Sequence, residues 1–105
     1  MDKGKYLEKL SGFRKRLSKK LSISRMVLFG SRAEGTEEAD SDFDLIIVSD
    51  DFKEKKSFVR AVGFYKYWDI DSPVDFICLT EKEYGELVGR PSVVGNGVRN
   101  GILIE

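Results

Sequence analysis

Leu7, Leu10, Phe13, Leu17 and Leu21 recur at three- and four-residue spacing, with Lys9, Arg14, Lys15, Arg16, Lys19 and Lys20 filling many positions between them. This pattern predicts an amphipathic helix over residues 3–21. The period then changes. Residues 23–29, Ile-Ser-Arg-Met-Val-Leu-Phe, form a first predicted strand, broken by Gly30. Ser31-Arg32-Ala33-Glu34 predicts a short helix with Ser31 near its N-cap. Residues 35–41 read as an acidic turn region, with Asp40 and Ser41 as turn formers. Phe43 to Val48 is a second strand, apolar on both faces beyond Asp44 and therefore internal in its sheet. Helical spacing returns over residues 53–68, where Phe58, Val59, Val62 and Tyr65 make one apolar face. Asp71-Ser72-Pro73 is a turn, and Val74 to Leu79 is a third strand. Thr80 and Glu83 form a capping box for a helix from Glu81 to about Leu87, weakened by Gly85. Residues 91–101 read as irregular or weakly helical, with Gly95-Asn96-Gly97 as a turn, and Ile102-Leu103-Ile104 as a terminal strand. The order of elements predicts an α/β (α+β) domain with helices packed on a small sheet.

At 105 residues the chain is expected to be a single domain, residues 1–105, with one modest core and no room for a second substrate-binding domain. No apolar run approaches the ~20 residues of a membrane span, and Met1-Asp2-Lys3-Gly4-Lys5 lacks the apolar stretch of a signal peptide, so a cytoplasmic location is expected. The single cysteine, Cys78, excludes an internal disulfide and reads as core filling. The chain has no histidine. That excludes Ser-His-Asp triads, Cys-His pairs and histidine-based zinc sites. The chemistry left open uses carboxylates, hydroxyls, Lys or Arg, and oxygen-loving metals.

The net charge of zero conceals segregation. Residues 1–32 carry ten Lys/Arg and two Asp/Glu, whereas residues 33–54 carry one Lys and nine Asp/Glu. A solvated basic helix beside an acidic loop accounts for this pattern. A sharper reading places a cationic face that attracts phosphate next to an anionic metal site. Nucleic-acid contact through the basic helix is a third reading, and not the favoured one.

Asp42, Asp44 and Asp75 focus the chemistry. Asp42 and Asp44 stand two apart at the mouth of a strand, so their side chains point to the same side. Asp75 opens the next strand. Taken alone, each aspartate reads as a turn former or a strand-entry charge facing water. Acidic residues are depleted in strands. If the two strands are neighbours, three like charges converge and raise one another's pKa values unless a cation neutralises them. Gly30-Ser31, at a strand-to-helix turn, supplies N–H donors and a hydroxyl suited to a phosphate. A polyphosphate cradle beside a two-metal carboxylate site is the equipment of nucleotidyl transfer. Arg32 reads either as a phosphate contact or as a surface ion pair with Glu37 or Glu38. Phe64, Tyr65, Tyr67 and Trp68 read as core or protein-interface aromatics.

Gly30-Ser31-Arg32-Ala33-Glu34-Gly35, followed by Ser41-Asp42-Phe43-Asp44-Leu45 and a later Asp75 within an apolar strand, resembles the nucleotidyltransferase motif of the DNA polymerase beta superfamily. The short chain is similar to its minimal nucleotidyltransferases, which are often encoded beside a HEPN-domain partner. The resemblance spans residues 23–79. It implies the nucleotidyltransferase fold, a mixed sheet of roughly three to five strands flanked by helices. It further implies that Gly30, Ser31 and Arg32 bind the triphosphate and that Asp42, Asp44 and Asp75 are catalytic and bind metal. Asp42 and Asp44 would hold two Mg²⁺ ions, and Asp75 would bind the catalytic ion and help activate the acceptor hydroxyl. The implied reaction moves AMP from ATP, or another NMP from its NTP, onto a hydroxyl. A tyrosine of a HEPN-type toxin is the implied acceptor, with this chain as antitoxin; a homodimer is the other assembly expected. One departure is Glu34, where many members carry Arg or Lys; it is expected to face solvent. The alternative function is a non-catalytic antitoxin that neutralises its partner by contact.

Overall fold

The computed structural model describes residues 3–37 and 41–105. Its elements are α1 (Lys3–Leu17), β1 (Arg25–Phe29), α2 (Ser31–Glu34), β2 (Phe43–Val48), β3 (Val74–Leu79), α3 (Glu81–Val88), α4 (Val93–Asn100) and β4 (Ile102–Leu103). The turn-forming role expected of Asp40 lies outside the described residues. The strand order is β3-β2-β1-β4, with β2 parallel to β3 and β1 antiparallel to both β2 and β4. The expected small mixed sheet with flanking helices is therefore present, and β2 is internal, as its two apolar faces require.

Alternation along the strands builds two cores. Met26, Leu28, Phe43, Leu45, Ile47, Val74 and Cys78 face α1 and the chain between β2 and β3. Val27, Ile46, Val48 and Leu79 face the side packed by Tyr84 of α3 and Val94 of α4. Tyr6, Leu10, Phe13 and Leu17, at three- and four-residue spacing, form the buried stripe of α1. Phe13 packs edge-on against Trp68 and stacks on Phe76. Arg14 ties the helix to the neighbouring strands β1 and β4 by donating to the carbonyls of Ile104 (2.5 Å), just after β4, and Ile23 (3.3 Å), just before β1. Cys78 is buried, as expected, and burial pushes its thiol up to about 12.

Three expectations need correction. Helix α1 stops at Leu17 rather than residue 21. Lys19 and Lys20 bond back three residues, to Arg16 and Leu17, which tightens and ends the last turn. Residues 53–68 are not a helix. The chain forms three short 3₁₀ turns, Asp50–Phe52, Ser57–Val59 and Phe64–Tyr67. Gly63, with φ 86°, breaks any continuous helix before Phe64. The residues this segment buries are Phe52 and Phe64, and the apolar face expected from Phe58, Val59, Val62 and Tyr65 is exposed. Finally, Gly95-Asn96-Gly97 is not a turn but the middle of α4, whose N-cap Ser92 accepts from the Gly95 N–H. A Cβ at Gly97 would stand 3.0 Å from the Phe29 ring, so the glycine lets α4 lie close on β1.

β3 is an edge strand, and the segment before it covers its open side. The Tyr65 hydroxyl donates to the Val74 carbonyl (2.6 Å), and Arg60 donates to that of Cys78 (3.1 Å). Side chains thus take backbone acceptors that would otherwise recruit another strand. Arg60 also pairs with Glu83 at 2.5 Å, and Glu83 closes the expected capping box with Thr80.

The Arg60 hydrogen bond, followed by the Thr80 backbone N–H, holds the Glu83 carboxyl below its ordinary 4.5. A depressed folded pKa contributes stability above the unfolded value and loses it as pH falls through the folded value. Glu83→Gln should cost about 0.5–1 kcal/mol at pH 7, a modest figure because the carboxylate is partly solvated. Urea unfolding of both proteins should show that difference shrinking as pH drops below 4.5.

Candidate active site

Asp44 and Asp75 are register partners on the parallel strands β2 and β3. Residues paired in this way point to the same face, so both carboxylates stand on the α3/α4 side of the sheet, at the strands' N-terminal ends. Asp42 lies just before β2. Asp42 and Asp75 are exposed, whereas Asp44 is half-buried. Burial first, then the charges of Asp75 and Asp42, push the Asp44 carboxyl above its ordinary 3.8. Asp75 and Asp42 therefore act on Asp44 as like charges. Among the described residues, no three acidic, cysteine or histidine side chains form a ready-made metal cage.

Gly30 joins β1 to α2 in a conformation with φ 75° and ψ −160°. A Cβ at this position would lie 2.4 Å from Asp44 Oδ2. The missing side chain therefore lets the Asp44 carboxylate rest against the turn. Gly30 is also the residue that caps α2, and Ser31, expected near the N-cap, occupies the first helical position. The Gly30 carbonyl accepts the N–H groups of Ala33 and Glu34, both at 3.1 Å. Glu34 is exposed, as expected.

Arg32, read from the sequence either as a phosphate contact or as a surface ion pair, is 8% exposed. Its Nε and Nη2 donate to the Ser41 carbonyl at 3.2 and 2.8 Å. The guanidinium lies 4.4 Å from the Phe43 ring centre and 5.8 Å from that of Tyr6. Tyr6 closes the arrangement by donating to the Arg32 carbonyl (3.1 Å) and to Glu37 (3.0 Å). Glu37 thus takes the Tyr6 hydroxyl in place of the expected ion pair with Arg32, while Glu38 lies outside the described residues. Arg32 grips the residues on both sides of Asp42, by hydrogen bonds to Ser41 and by stacking on Phe43. Sequence reasoning missed this role. A buried arginine here depends on Tyr6, which is 26 residues away, and no local pattern announces that slot.

A nucleotidyltransferase domain model matches residues 10–103. No curated protein matches the chain by sequence. Among solved structures, one similar chain is a Sulfolobus solfataricus protein provisionally assigned as a nucleotidyltransferase. It shares 22% identity and a TM-score of 0.67, over 96% of this chain and 80% of that one. Another comes from a toxin–antitoxin structure with AMP-PNP, at 20% identity and a TM-score of 0.57, over 90% of this chain and 72% of that one. These two likenesses are ones of fold. With the family model covering nearly the whole chain, the conclusion is direct: the chain belongs to the nucleotidyltransferase domain family.

Proposed function

We propose that this chain transfers a nucleoside monophosphate, AMP from ATP, to a hydroxyl acceptor, namely a tyrosine of a HEPN-type toxin that it thereby neutralises. The observation that carries the reading is the pairing of Asp44 with Asp75 beside the Gly30-Ser31 turn. The shared fold with a toxin–antitoxin structure containing AMP-PNP supports ATP and a protein partner.

The donor set suits Mg²⁺. This ion is usually held beside nucleotides by one or two carboxylates, with phosphate oxygens and water completing its shell, rather than by an all-protein cage. Asp42, Asp44 and Asp75 would hold it; burial first, then the charges of Asp75 and Asp42, raise Asp44, and a cation would relieve the repulsive part. Bound there, it would supply charge stabilisation at the attacking and leaving oxygens. In the chain itself, Gly30 and Ser31 would receive the triphosphate. Asp75, on the exposed side of the pair, would draw the proton from the acceptor hydroxyl. That oxygen bonds to the α-phosphorus, the α–β bridge breaks, and pyrophosphate leaves. Arg32 would keep Asp42 in place throughout without touching the nucleotide.

With α-labelled ATP, Mg²⁺ and the HEPN-type partner, wild type should label the partner, and Asp44→Asn should be at least ~100-fold slower. Equal silence of the two proteins would refute the enzymatic reading. Undiminished neutralisation by Asp44→Asn would favour inhibition by contact alone.

Asp44→Asn should also stabilise the nucleotide-free protein at pH 7. A raised folded pKa means stability held below the unfolded value and lost as pH rises through the folded one, so the ionised form carries a cost that Asn removes. Discounted for solvent screening, the gain is about 0.5 kcal/mol, or roughly 2–4 °C in a domain of this size. A thermal melt without Mg²⁺ checks it.

Arg32→Lys removes the fork geometry and the stacking surface. It should lower stability by about 1–3 kcal/mol in the absence of any nucleotide. Unchanged melting, together with a raised KM for ATP, would instead return Arg32 to the phosphates.

A further inference from the structure

The end of α1 and the chain linking β2 to β3 enclose an open cleft of about 870 Å³. It lies on α1's side of the sheet, beyond the C-terminal end of β2. Asp44 and Asp75 occupy the opposite face, at the N-terminal ends of their strands. The floor is apolar, made by Leu17, Phe52 and Phe64. One wall is the stretch that looked helical in the sequence. Val59 and Val62 line it at 40% and 76% exposure, and Phe58, next to Val59 in the chain, is 79% exposed. Exposed apolar side chains grouped around a cleft mark an interaction surface.

The charges at the cleft select its occupant. Lys20, Lys55 and Lys66 line it, and none of them has an ion pair among the described residues. Arg60 is already matched by Glu83. The one acid in the lining, Asp51, accepts the backbone N–H of Ser22 at 2.7 Å. The cleft therefore offers an apolar floor under a rim of unmatched cations. A concave apolar floor takes inserted side chains, which neither a flat bilayer nor a phosphate backbone presents. We propose that this cleft docks an acidic amphipathic helix of a partner protein, with its apolar stripe in the cleft and its carboxylates on the three lysines. The proposal is independent of nucleotidyl transfer, and its test needs no nucleotide.

The test is an NMR titration of the ¹⁵N-labelled full chain with two synthetic helical peptides of about 18 residues. Both carry the same leucine stripe; one is flanked by Glu and the other by Lys. The Glu peptide should bind saturably with a Kd of about 10–100 µM, shifting Leu17, Phe52, Val59 and Val62 and leaving Phe43 and Asp44 unmoved. The Lys peptide should bind at least ~10-fold more weakly. Val62→Asp, and Lys55→Glu combined with Lys66→Glu, should each weaken the Glu peptide ~10-fold. These side chains are exposed, so unchanged resonances of the sheet will report an intact fold. Absence of saturable binding, or equal affinity for the two peptides, overturns the proposal. So does tighter binding of oligouridine or of phosphatidylserine vesicles that the same substitutions abolish, because the cleft would then serve RNA or a membrane.

Discussion

The parallel pairing of β2 with β3 sets two carboxylates side by side, and the rest of the molecule makes that arrangement tolerable. Asp44 and Asp75 are direct register partners, and like charges so placed repel. The ladder keeps its register because everything beyond them is apolar and buried. A slip of one residue would send Leu45 and Ile47 to the wrong face, together with Phe43. The energy that fixes the acids therefore comes from the hydrophobic residues that follow them on the same strands. A site built on strands in this way is pre-positioned.

Two residues refine that position from outside the ladder. Gly30 yields the space that Asp44 Oδ2 occupies, at a backbone angle that side chains rarely adopt. Arg32 secures the approach to β2 from both sides of Asp42. A buried guanidinium is costly unless its donors are met, and here two of them reach Ser41 while its faces meet aromatic rings. Turn and strand thus belong to one construction: the turn from β1 supplies Gly30 against Asp44, and α2 supplies Arg32 beside the backbone that flanks Asp42.

The strands and the three aspartates were legible because each signal was local. Apolar runs bounded by Gly30, Asp42 and Pro73 leave few alternatives, and the capping box of Thr80 and Glu83 is a contact within four residues. Two other features needed information from elsewhere in the chain. The sequence left Arg32 open between a phosphate contact and a surface ion pair because its slot is made by Tyr6 from α1. Residues 53–68 carried a helical spacing that describes no buried face: Phe58 and Val62 point to solvent, while Phe64, set off by Gly63, turns inward. Gly95 and Gly97 misled in the opposite direction. Glycines that look like helix breakers are in α4 the residues that permit close packing, Gly97 against Phe29 and Gly95 against the Arg90 carbonyl.

The irregular crossover between β2 and β3 also explains why the aspartates stay accessible. A parallel connection must carry the chain back along the sheet, and a helix usually does this. Here 3₁₀ turns do it on the same face as α1, joining Phe52 and Phe64 to the α1 core. Its polar side chains cap β3, through Tyr65 and Arg60. The opposite face is left to α3 and α4, whose contacts gather on Val27, Ile46, Val48 and Leu79. Asp44 and Asp75 precede those contacts on their strands, and the Asp44 carboxylate is bordered by the Gly30 turn. The same division of faces puts the apolar cleft and the carboxylates on opposite sides of one sheet, where a bound segment and a bound nucleotide would not compete for space.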